Sequence, residues 1–183
     1  MLQLIELNEI NFEIVKQYYL ETPEKFPGFS KLFKMTMLNT KSESVYENLE
    51  PWIQWVSVHT GMTFSEHKVF RLGDITKSNH PQIFEKIESM GFNVGCVSPM
   101  NAANRLKQPA FFIPDPWTDT QPDNSWISKK LHLTLKQAVN DNAQQKVTIS
   151  SYLIILATLL KYGKFKNYRT YFKLFQNRNK KWN

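Results

Sequence analysis

Apolar positions follow two rhythms along the first hundred residues. LQLIEL (2–7) is a nearly continuous apolar run that stops at Asn8-Glu9, which predicts a buried strand ending in polar residues. NFEIVKQYYLE follows with Phe12, Val15, Tyr18 and Tyr19 at helical spacing and Asn11 placed to cap the first turn. Pro23 and Pro27-Gly28 break the chain, FSKLFKM makes a short helix, and residues 36–44 carry the pattern of a strand with a polar end. PQIFEKIESMG (81–91) starts with Pro81 in its first turn and stops at Gly91, a helix signature. FNVGCVSP then predicts a second buried strand and AFFIPD a third. Strand, helix, strand with short links predicts a parallel α/β sheet, whose ligand edge lies at the carboxyl ends of its strands.

The pattern changes near Pro114. DPWTDTQPDNSW is loop-like, and residues 128–180 predict three helices, separated near residues 140–145 and at Gly163. The expected organisation is an α/β core over 1–117 and a helical extension with a basic tail over 118–183. There is no internal repeat.

Composition adds boundaries. Hydrophobic content of 42% and aromatic content of 14% predict a packed globule. Cys96 is the single cysteine, so neither a disulfide framework nor a cysteine zinc site is available, consistent with a reducing compartment. The start, MLQLIELNE, meets an acid at Glu6 and has no basic leader region, so no signal peptide is expected. The longest apolar run, YLIILATLL, is about half of the roughly 20 residues a bilayer crossing needs. A cytoplasmic protein, or one peripheral to a membrane, is the expectation. From Lys161 to Asn183 there are eight cations and no acid, so against a whole-chain charge of +7 the first 160 residues sum to −1. The basic character belongs to the tail, and nucleic-acid binding by the body is not implied.

Candidate chemistry concentrates in EPWIQWVSVHTGMTFSEHKVFRLGD (50–74) and SPMNAANR (98–105). Trp52 and Trp55, three apart, share a helical face and are expected to pack in the core. His59, four residues after Trp55, is expected to stack on it. Glu66-His67 resembles an acid–base pair, but adjacent side chains on a helix diverge, so a structural His67 is expected. Asn8 and Glu9 form either a polar active-site turn or a strand end with a helix cap. Asn101, Asn104 and Arg105 follow a strand and suit either an anionic or sugar substrate or a plain loop. Asp115 and Trp117 in IPDPW are expected to fix a turn. In the tail, Phe165, Tyr168, Phe172 and Phe175 form an aromatic stripe beside cations. That stripe suits docking on a hydrophobic partner, including a second half of the fold or another copy. It also suits an anionic membrane surface. Nucleic acid ranks last, because no recognised binding motif is present.

Four pieces in order, LIELNEINFEIV, FPGFSKLF, WVSVHTG with His67 soon after, and GFNVGCVSPMNAANR, resemble the start of the alkaline phosphatase superfamily. More narrowly they resemble its type I phosphodiesterase/nucleotide pyrophosphatase branch, over roughly residues 1–117. The resemblance implies a partial alkaline-phosphatase-like parallel sheet with flanking helices, and a metal-dependent hydrolase of phosphate or sulfate esters. It also implies divalent metal, commonly zinc, which lowers the pKa of a hydroxyl nucleophile and neutralises the transferring group. Its metal position falls at Asn8 with Glu9 beside it, and Glu9, Asn101 and Arg105 are the residues placed nearest the reaction. The nucleophile position, counted back from Gly61, falls at Pro51, which has no hydroxyl. The family's downstream Asp-His-Gly segment has no counterpart, and His132 is the single histidine after residue 100. The expectation is therefore the N-terminal part of such a hydrolase, inactive or incomplete as this chain. The alternative is a non-catalytic remnant or interaction subunit that docks through its basic aromatic helices.

Overall fold

The structure, a computed structural model, describes residues 2–8, 10–38, 40–140 and 147–177, with side chains to residue 173 in the last span. Among these residues the chain is mixed α/β: eight α-helices and one small parallel sheet of two strands.

Each helix of the first half starts and stops where local chemistry dictates. Helix α1 (Phe12–Glu21) is capped by Asn11, whose side chain accepts from the amides of Glu13 and Ile14. Helix α2 (Pro27–Leu32) begins on a proline, and a Tyr19–Phe33 ring contact at 5.5 Å ties it to α1. Helix α3 (Pro51–Thr60) also begins on a proline, where a missing amide hydrogen costs nothing. It ends at Gly61, whose φ of 74° is the left-handed conformation that glycine adopts without strain. Helix α4 (Phe64–His67) is held by a Thr63–Glu66 capping box and α5 (Ile83–Ser89) by a Gln82–Glu85 box.

Strand β1 (Gly95–Val97) pairs in parallel with β2 (Phe111–Ile113), Cys96 opposite Phe112. The Phe111 ring lies over Gly95: a Cβ at that position would sit 2.4 Å from the tip of the ring and displace it. The core on this sheet is Phe84, Val94, Cys96, Ala102 and Phe112, with Ile83, Ile87 and Leu106 against it. A second cluster, Val56, Val69, Ile75 and Ala103, lies under α3. Asp123 occupies the outer edge of β2: its amide donates to the Phe112 carbonyl and its carboxylate accepts the Phe112 amide. Helix α6 (Trp126–Asn140) packs on β2 and on α7 (Ile149–Tyr162), which is followed by α8 (Tyr168–Asn177). These are the three expected helices. Among the described residues, no helix is long and apolar enough to cross a membrane.

Two strand expectations are corrected. Residues 2–7 form no strand and lie largely in solvent, Leu2 being 87% exposed. The described residues of 36–44 are likewise irregular. An apolar run becomes a strand only beside a neighbour with free backbone groups, and among the described residues β1 has β2 alone.

Candidate functional site

The polar end of the N-terminal segment meets the start of α3. Asn8, Leu49, Pro51, Gln54, Trp55 and Val58 line one open cleft of about 290 Å³. Asn8 Oδ1 accepts from the Trp55 indole N–H at 3.3 Å, and the Gln54 side chain donates to the Asn48 carbonyl at 2.6 Å. Asn8 and Pro51, 43 positions apart in sequence, therefore face a common crevice. Glu9 lies outside the described residues.

A second tether to α3 was not anticipated. Glu6 Oε1 lies 2.8 Å from His59 Nε2, and the His59 ring, 1% exposed, sits between Trp55 and Phe84 at 5.8 and 5.1 Å. The expected Trp55–His59 stacking is present. The signal available for Glu6 was an acid inside an otherwise apolar run, and nothing local indicated a histidine 53 residues away.

Asn101 and Arg105, expected near substrate, are engaged with backbone. Asn101 is fully buried with φ 47°. Its amide N–H donates to Asp115 Oδ2, its Oδ1 accepts from the Gly73 amide, and its Nδ2 donates to the Trp52 carbonyl. Arg105 directs its guanidinium at the carbonyls of Ile75, Ser78 and His80. Its Nη1 and Nη2 nitrogens thereby hold the 75–80 turn. Asn104 donates to the Gln121 carbonyl. Asp115 is itself fully buried and accepts from the amides of Trp117 and Thr118, the expected turn.

His67 and Glu66 of the 50–74 segment have structural work. His67 Nδ1 accepts the Val69 amide at 3.0 Å, so the proton of the neutral ring is on Nε2, which donates to Ser57 Oγ at 3.0 Å. A histidine that donates to a serine cannot take its proton, so Ser57 is not an activated nucleophile. Burial first, and then the neighbouring His80, hold the His67 pKa below its ordinary value, which keeps the ring neutral. Glu66 turns back to its own helix start, where the Thr63 amide and hydroxyl hold its carboxyl below the usual range. Thr60 bonds the Val56 carbonyl within α3.

The described lining of the crevice holds no carboxylate for the divalent metal that the resemblance implies. Its two amide side chains are neutral, Asn8 Oδ1 already accepts from Trp55, Pro51 offers no donor, and the remaining lining is apolar. Among the described residues no three of His, Cys, Asp and Glu gather as a metal cage. No family model, curated protein or solved structure matches this chain.

Proposed function

We propose that the chain keeps N-terminal elements of a metal-dependent hydrolase of phosphate or sulfate esters, of alkaline phosphatase type. In this reading it forms one wall of an ester-binding crevice without turning ester over. The single observation that supports it is the meeting of Asn8 and Pro51 in one cleft at the N-terminus of α3. Those are the positions where the resemblance puts a metal carboxylate and a hydroxyl nucleophile. A neutral carbonyl holds a divalent ion far less well than a carboxylate, and proline cannot attack phosphorus or sulfur. The test is to assay the purified chain with p-nitrophenyl phosphate, its diester and its sulfate, with and without zinc, manganese and magnesium. No metal-dependent turnover is expected. Turnover with stoichiometric zinc would overturn the non-hydrolysing half of the proposal.

A second reading, a docking protein, is favoured by a different observation: α7 presents an apolar stripe on the side turned away from α6. The two readings concern different surfaces of the chain.

A further inference from the structure

Helix α7 is apolar on nearly every side, which packing against one neighbour cannot satisfy. Ser151, Ile154, Ile155, Thr158 and Leu159 are buried or half-buried, while Ile149, Leu153, Leu156 and Leu160 are exposed. The exposed four recur at spacings of four, three and four, one continuous stripe on the opposite face. After the α7 stripe, Tyr162, Phe165 and Phe172 are exposed as well, the last two 89% and 65%.

Charge identifies what this surface meets. Helices α6, α7 and α8 and the 163–167 link carry eight Lys and Arg residues and no acid. Lys161, Lys164, Lys166, Arg169 and Lys173 are all exposed, beside or between the aromatic residues. The 4-3-4 stripe alone could pair with a second copy as a helix seam. A second copy, however, brings the same cations and no acid on these helices, so like charges would face each other. A surface that is anionic and apolar just beneath complements both features. We propose that the α7–α8 surface binds the interface of an anionic lipid bilayer, Leu153, Leu156, Phe165 and Phe172 entering the headgroup boundary while the lysines and Arg169 meet the lipid phosphates. This deepens the docking reading and rests on it. Because the ester assays read the crevice and not this surface, failure of either leaves the other standing.

The test is flotation of the full chain with vesicles of phosphatidylcholine alone and of phosphatidylcholine mixed with phosphatidylserine. Binding is expected to the mixed vesicles and not to phosphatidylcholine, with release at about 0.5 M salt, where screening is nearly complete over a few ångströms. A basic residue near an anionic surface is worth roughly fivefold in affinity, so the Lys164→Gln/Lys166→Gln/Arg169→Gln variant should bind about a hundredfold more weakly. Leu156→Gln/Phe172→Ser should also lose binding, whereas Lys31→Gln on α2 should not. Circular dichroism and melting check that each variant is folded, which exposed positions should allow. No binding, equal binding to both vesicles, or a dimer in light scattering that the same substitutions dissociate would each overturn the proposal.

Discussion

Replacing Asn101 separates a structural role from a substrate-binding one. Its amide joins three segments, bonding the Gly73 amide at 2.8 Å and the Trp52 carbonyl at 2.8 Å, with its own side chain fully buried. Asn101→Ala leaves that donor and that acceptor half-buried without partners, at about 1–2 kcal/mol each, the lower part of the usual cost. The backbone adds strain: φ of 47° is left-handed, tolerated by Asn and Gly but costing Ala about 1 kcal/mol more. Asn101→Ala should therefore lose roughly 3–5 kcal/mol, a large part of the 5–15 that domains usually have. Asn101→Gly removes the same bonds without the strain and should lose about 1 kcal/mol less. Urea unfolding followed by tryptophan fluorescence and circular dichroism reads both variants, with similar slopes expected. If Asn101→Ala costs under about 1 kcal/mol, or if Gly is the worse of the two, the amide bridge does not carry what is claimed for it.

Other consequences follow from burial and bonding. His67 and His132 both have pKa values held below 6.5, by burial first in each case, so the unfolded state binds more protons as pH falls through that value. Stability should be full above it and fall below it, by at most about 1.4 kcal/mol per pH unit for each histidine. Urea midpoints across that range should show the slope, and a His67→Gln/His132→Gln variant should flatten it; an unchanged slope would count against the assignment. Burial pushes the Cys96 thiol up to about 12, so it stays protonated at neutral pH. Iodoacetamide should label it slowly in the folded chain and quickly in urea, and rapid native labelling would contradict its place in the core. Glu6→Ala removes the partner of His59 Nε2 and should cost about 1.5–3 kcal/mol, read as a lower urea midpoint. An unchanged midpoint would show that the pair does not anchor the segment.

What was legible in the sequence tracks how local the cause is. Asn11 and Gly91 punctuate helices through bonds a few residues away, and helices α1 and α5 begin and end close to where the sequence pattern places them. The polar ends of strands were also readable, and Asn101 and Arg105 do follow β1. Their partners were not readable, because the carbonyls they bond belong to Trp52, Ile75, Ser78 and His80, between 25 and 49 residues away. LQLIEL failed as a strand for a related reason. Its apolar pattern states what the segment could bury, while Glu6 and Asn8 attach it to α3 through His59 and Trp55. The Asn8–Pro51 crevice was legible only because an ordered set of four pieces resembled a known arrangement.

The proposed reading puts Asn8 where, in the family the chain resembles, a carboxylate holds a divalent metal. Zinc titration by calorimetry of the natural chain and of Asn8→Asp tests it most directly, with Trp55→Phe in both backgrounds to report the neighbouring indole. The account predicts no saturable zinc site in the natural chain and, because the described lining supplies no second charged ligand, at most weak binding in Asn8→Asp. Stoichiometric zinc already bound by the natural chain would contradict it.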